Sequence, residues 1–318
     1  MKKIITLVAM FLLSLCAFGQ QEEQYTQFMY YRLGYNPAFA GQDQTTTVSA
    51  IVRSQWLGIE GAPQTQLVTF NMPLLNNRVG VGGNIARQTI GVTQYYTVDA
   101  AYAYHIKTGR GTLGFGLQGS VRLLRIDFSR VQGTQPIELD GAIPSAGYQS
   151  RYVPNFGAGI YYHSKNAYFG ISVPRLLESN IDLADNQGVI SKEVQHFYAM
   201  GGVRIPAGDN IQIQPQVLFK YVSGAPFDGD VNVNLVFMEK FITGVSYRLG
   251  GSKRNSVGES VSLLVGAHLS ENITLGLAYD ATLTELRSYT SGSIEAVLRY
   301  SFGGQENTGN TIVNPRFY

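Results

Sequence analysis

The sequence predicts an all-β chain: a transmembrane outer-membrane β-barrel of about 14 antiparallel strands, with short periplasmic turns and long extracellular loops. Three observations carry that expectation. The chain opens on an export leader and holds no later apolar run long enough for a spanning helix. From residue 45 to residue 302 it is a succession of strand-like runs, many of them alternating. The connections between those runs alternate between short and long.

The leader is 1–19. Lys2 and Lys3 give a basic start, residues 4–18 an apolar run, and Ala17-Phe18-Gly19 a small-x-small cleavage signal before Gln20. Cleavage is expected after Gly19, since the run is short for a membrane anchor. Cys16 raises the question of lipidation, but the bulky Leu15 sits where such signals want a small residue. The leader carries the single cysteine, so no disulfide is expected in the mature chain. It also carries two lysines, leaving 22 of the 24 basic residues against 22 acidic ones. That balance gives no support to nucleic-acid binding through bulk charge. Charged residues are 14% of the chain and mean hydropathy is close to zero. A barrel has this profile, because lipid-facing residues alternate with polar ones.

Residues 20–44 precede the first strand. Tyr25, Phe28, Met29 and Arg32 fit helical spacing, and Asn36-Pro37 marks a turn. The segment is expected to be a periplasmic arm or a plug. Asn36, Pro37 and Phe39 are its candidate partner-binding residues; the plainer alternative is a cover over the barrel floor.

The strand-like runs are 45–53, 65–73, 78–89, 94–105, 111–126, 152–163, 167–173, 196–205, 211–221, 230–238, 241–249, 260–269, 273–280 and 291–302. Most are close to the 9–11 residues that a tilted barrel strand needs. In the fourth, Tyr96, Val98, Ala100, Tyr102 and Tyr104 oppose Tyr95, Thr97, Asp99, Ala101 and Ala103. In the last, Ile294, Ala296, Leu298, Tyr300 and Phe302 share one face, and Ser293, Glu295, Val297, Arg299 and Ser301 the other. The apolar face is assigned to lipid, and this strand is expected to pair with 45–53 and close the barrel. Connections after even-numbered strands are short; those after odd-numbered strands are mostly long, 127–151 and 174–195 above all. Only 90–93 breaks the rhythm. An even strand count returns both chain ends to the periplasmic side, with 45–302 as the barrel and 303–318 as a periplasmic tail.

Two features qualify the strands. Pro215 lies inside the ninth, and a closed barrel has no edge to hide a missing N–H, so a bulge is expected there. Glycines crowd 111–119 and 152–159, which suggests bends or close contact with an internal plug. The inward residues include Asp99, Arg122, Gln212, Gln214, Gln216, Lys220, Asn232, Asn234, Arg248, Glu295 and Arg299. They either line a polar channel, grip a plug, or satisfy one another in a filled barrel.

Little here points to catalysis. None of His105, His163, His196 and His268 sits in a nucleophile motif, and no spacing resembles a zinc or calcium site. No enzyme activity, cofactor or metal is expected. Trp56, beside Gly58, Gly61 and Pro63 in a long outer loop, is either a binding hot spot or an interface anchor.

Gln24-Tyr25, Asn36-Pro37-Ala38-Phe39-Ala40-Gly41, Arg53-Ser54-Gln55-Trp56, Gly61-Ala62-Pro63-Gln64-Thr65 and the closing Leu298-Arg299-Tyr300-Ser301-Phe302 together resemble the PorP/SprF family, over about 20–302. The resemblance implies an outer-membrane barrel of type IX secretion, often in gliding bacteria. Its implied partners are the secretion machinery and exported cargo or a surface adhesin. It implies no catalytic or ligand residues. The tail beyond Phe302, ending in Arg316, Phe317 and Tyr318, departs from barrels that stop at the last aromatic and is a candidate periplasmic contact. The leading expectation is therefore a non-enzymatic barrel that binds the C-terminal domain of an exported protein and helps its secretion or surface anchoring. The alternative is an outer-membrane channel or small-molecule transporter.

Overall fold

The computed structural model describes residues 22–43, 45–130, 147–181, 192–223, 225, 227–250 and 258–302. Fourteen barrel strands follow in order: β1 Thr46–Ser54, β2 Gln64–Leu74, β3 Val79–Ile90, β4 Thr93–Thr108, β5 Gly111–Asp127, β6 Tyr148–Ser164, β7 Ala167–Val173, β8 His196–Val203, β9 Ile211–Val222, β10 Asp228–Phe237, β11 Phe241–Leu249, β12 Ser260–His268, β13 Ile273–Thr282 and β14 Ser293–Phe302. Each pairs antiparallel with its sequence neighbours. β1 pairs with β14 from Thr46↔Phe302 to Ser54↔Ile294, so the sheet closes as expected. Closure leaves no edge with unpaired backbone groups, which a bilayer requires. Two-residue ribbons, Ser179–Asn180 with Lys192–Glu193, and Ile205–Pro206 beside β9, complete the strands among the described residues.

The alternation sorts the faces as the sequence implies. Along β14, Ile294, Leu298, Tyr300 and Phe302 are exposed, whereas Ser293, Glu295, Val297 and Arg299 are buried. Tyr300 and Phe302 meet edge to face, at the strand end that carries the short turns. The described turns at that end are tight. Met238 and Glu239 both take φ above +50°, the arrangement that fits a two-residue hairpin to the twist of its strands.

Two strand-level expectations are corrected. Pro215 makes no bulge: Gln214↔Asn234, Pro215↔Val233 and Gln216↔Asn232 stay in register with β10. On its other side the ladder simply lapses between Gly202↔Gln216 and Ile205↔Ile213, and the Arg204 N–H turns to the Asn166 carbonyl at 2.7 Å. The missing donor is met by a gap in pairing rather than by an extra residue. β6 starts at Tyr148, not at residue 152, because its ladder with β5 runs unbroken from Gly111↔Ser164 to Asp127↔Tyr148.

Residues 22–43 lie inside the barrel. They form three short helical turns, Phe28–Tyr30, Arg32–Tyr35 and Pro37–Phe39. From Tyr25 to Asp43 every residue is buried except Tyr31 and Gly34, which are half-buried. The segment is a plug, not an arm beneath the barrel.

Candidate functional site

The plug crosses the lumen from the long-loop end to the short-turn end. At its start, Glu22 pairs with Arg122 of β5 at 3.3 Å and with Arg175 in the β7–β8 connection. Both arginines also hold Glu193 of that connection, at 2.8 and 3.4 Å. Burial pushes the Glu22 pKa up, but the two guanidiniums outweigh it and hold the carboxyl well below its usual range. Gln24 donates to Asp228, at the long-loop end of β10. At the other end, Asp43 accepts from Thr47 at 2.9 Å and Asn71 at 2.8 Å and pairs with Arg299 at 2.9 Å. The described N-terminal end therefore lies at the long-loop end of the barrel and not at the short-turn end where β1 begins, because 22–43 threads the whole lumen first.

A buried ionic clamp holds the plug's first turn. Arg53 of β1 donates to Asp280 at 2.7 Å, Glu295 at 3.0 Å and the Thr26 hydroxyl at 2.9 Å. Glu295 in turn accepts the backbone N–H groups of Thr26 and Gln27, at 2.9 and 2.8 Å. Buried charges are tolerated when paired and hydrogen-bonded on all sides, and the plug supplies the donors that complete this set.

In mid-lumen the plug is packed by aromatics and wall glycines. Tyr25, Tyr31, Tyr35 and Tyr198 form a chain of ring contacts with centroids 4.7–5.2 Å apart. Arg32 sits 4.2 Å over the Tyr168 ring and donates to Gln216 at 3.3 Å. Asn36 caps its own turn by accepting from the Ala38 N–H at 2.9 Å. Its amide nitrogen donates to the carbonyls of Ile160 and Ile171, at 3.0 and 3.3 Å. A Cβ at Gly116 would lie 2.1 Å from the Ala38 nitrogen, and one at Gly159 would lie 2.2 Å from the Asn36 Oδ1. Those positions need glycine because the plug touches the wall there. Within the glycine-rich stretches noted in the sequence, Gly114, Gly116 and Gly159 carry the imprint of the plug, whereas Gly157 is pressed by Pro174 and Gly119 has nothing within 4 Å.

The candidate residues separate accordingly. Asn36, Pro37 and Phe39 are buried against β5, β6 and β7 and are closed to an outside partner while the plug is in place. Their part is to wedge the plug. Arg316, Phe317 and Tyr318 lie outside the described residues, as do the leader and most of the 127–151 loop. Trp56 is half-buried at the long-loop end, with φ at +50° and its N–H donating to the Ser293 Oγ at 3.1 Å. It lines a cavity of about 500 Å³ beside the plug's start, whose wall also includes Asp228, Ser260, Thr284 and Tyr289. Sequence reasoning missed this rim. Its members come from connections and strand ends that only barrel closure brings together. All eleven inward residues named from the pattern do face the lumen, and Arg122, Gln216, Glu295 and Arg299 engage the plug directly.

Solved structures with this fold are outer-membrane barrels. The toluene transporter TbuX of Ralstonia pickettii matches with a TM-score of 0.51 at 11% identity, over 86% of this chain and 92% of that one. Omp33 of Acinetobacter baumannii matches with a TM-score of 0.48 at 8% identity, over 82% of this chain and all of that one. At such identities the likeness concerns the fold alone. Among curated protein sequences, none matches. The family model described as "Type IX secretion system membrane protein PorP/SprF" matches residues 17–300, nearly the whole barrel together with its plug. On that match the chain belongs to the PorP/SprF family of type IX secretion system membrane proteins.

Proposed function

We propose that this chain is a plugged, non-enzymatic barrel of the outer membrane that docks an exported protein at its long-loop mouth and helps the type IX machinery to secrete or anchor it. The cargo is a surface adhesin or the C-terminal domain of another secreted protein. The plug carries the reading. A diffusion channel needs an open polar lumen, whereas here residues 22–43 cross the lumen and engage its Arg122, Gln216, Glu295 and Arg299. With long loops outward, as in other outer-membrane barrels, the Trp56 rim and the plug's start face the cell exterior. Phe302 then faces the periplasm.

Family membership supports an association with the secretion machinery; the cargo, and the absence of catalysis, are this reading's own additions. The alternative role is a channel or small-molecule transporter. TbuX, which shares the barrel fold, is a toluene transporter, and a similar role here would require the plug to leave. Purified protein in planar bilayers tests the choice: the reading expects no steady conductance, together with detergent-stable capture of an exported protein that is lost when Trp56 is replaced or 174–195 is deleted. Steady pores that form without cargo, and no capture, would overturn it.

A further inference from the structure

We infer that the mouth cavity is a recognition site for a cationic side chain, the guanidinium or ammonium of an exported polypeptide. The inference rests on the docking reading and names the chemistry of that same mouth.

Four buried polar atoms of the cavity's lining residues have no hydrogen-bond partner among the described residues: the acceptor Asp228 Oδ1, the hydroxyls Ser260 Oγ and Thr284 Oγ1, and the Arg53 Nε donor. Asp228 is only 6% exposed. Its other oxygen is engaged, taking the Gln24 amide, with the Lys220 Nζ 4.0 Å away. Oδ1 remains for something else, since buried polar groups in folded proteins are almost always partnered. Gly250, at φ +108°, leaves the approach clear: a Cβ there would lie 3.0 Å from that oxygen.

The arginines on the lining do not supply the missing partner. Arg53 is taken by Asp280 and Glu295, and Arg248 by Asp230 at 2.8 Å. Glu259 and Glu285 also line the cavity and carry no ion pair among the described residues. The lining thus keeps an excess of negative charge, with two hydroxyls beside it. A guanidinium brings five donors and an ammonium three, with no acceptor on either. Such a group can meet Asp228 Oδ1 with a charge-assisted bond that outranks a neutral one and keeps further donors for hydroxyls of the lining. The faces of Trp56 and Tyr289 offer cation–π contact to the same group. An anionic ligand would be repelled, and a neutral donor could bond Asp228 Oδ1 but would leave the excess negative charge unbalanced. A volume of about 500 Å³ suits one long side chain with its flanking backbone.

Trp56 is the only tryptophan in the chain, so its fluorescence reports on this cavity without a label. The test titrates the detergent-solubilised full chain with the capped tripeptide Gly-Arg-Gly, its citrulline analogue and spermidine. The expected result is a saturable change with the arginine peptide, at least tenfold weaker with the neutral citrulline peptide. It is expected to be at least tenfold weaker in Asp228→Asn and about threefold weaker in Glu285→Gln, an exposed change that leaves folding alone. Equal binding of the citrulline peptide, no response to either the arginine peptide or the ammonium probe spermidine, or unchanged affinity in both variants would overturn the inference. So would cargo capture that survives in Asp228→Asn after its peptide response is gone, which would leave the docking reading standing. A peptide response with no cargo capture by the parent chain would instead remove the docking reading.

Discussion

Replacing Arg53 with alanine removes the cation that, among the described residues, holds the plug's first turn to the wall. Its three bonds, at 2.7, 3.0 and 2.9 Å, join Asp280 and Glu295 to Thr26. Arg53 and Glu295 are each 2% exposed and Asp280 3%, so the two carboxylates would be left unpaired with little water to solvate them. Breaking a buried pair by removing one partner costs about 3–5 kcal/mol. That is about two to three and a half orders of magnitude in the equilibrium between the seated and released plug. Two readouts on the folded barrel follow it, single-channel conductance and protease cleavage within 22–43. The parent is expected to stay closed and protected; Arg53→Ala is expected to flicker open and be cut. Removing the whole ion set (Arg53→Leu, Asp280→Asn and Glu295→Gln together) should restore most of the protection, because a neutral set leaves no stranded charge. If Arg53→Ala stays as closed as the parent, or the triple variant is as open as the single one, the clamp is not what seats the plug.

Gly159→Val puts a side chain where Asn36 Oδ1 lies 2.2 Å from the Cβ position, so it should expel the plug or block assembly; Gly119→Ala, with nothing within 4 Å, should be silent on a heat-modifiability gel. Asn36→Ala loses a cap worth about 1 kcal/mol and strands two wall carbonyls, so plug protection should fall while the barrel still folds. Leu298, half-exposed on the lipid face of β14, should cost about 2–4 kcal/mol of barrel stability as Leu298→Arg, read by denaturant unfolding from vesicles. The Glu22 carboxyl has its pKa depressed by Arg175 and Arg122 against the opposing effect of burial. Its contribution to plug seating is complete above the free glutamate value of about 4.3 and is lost as pH falls below it. Protease protection of the plug should therefore be flat from pH 8 to pH 5 and decline in more acidic buffer, and Glu22→Gln should abolish that part of the decline.

The barrel was legible because lipid imposes a period of two on every strand and the loops sort by side. Ile294 to Phe302 lie outward and Glu295 and Arg299 inward, as the alternation requires. Pro215 misled because a lapse in the ladder meets the missing donor as well as a bulge does, and pattern alone cannot choose between them. The plug was half legible. Glycines at lumen-facing positions such as Gly116 and Gly159 announce that something presses on the wall, but not which way it runs. Its direction depends on Glu22 meeting Arg175 and Asp43 meeting Arg299, contacts across more than a hundred residues that no local pattern encodes. The mouth cavity was legible only in Trp56. Asp228, Ser260 and Thr284 are ordinary rim residues of β10, β12 and the β13–β14 connection until the fold sets them around one cavity.

The central claim is that an occluded barrel presents its Trp56 rim to an exported partner. A photoreactive amino acid at position 56 in living cells tests it most directly, with position 298 on the lipid face as the reference. The account predicts a discrete adduct at 56, containing the C-terminal domain of a secreted protein, and none at 298. No adduct at 56, or the same adduct from both positions, would contradict it.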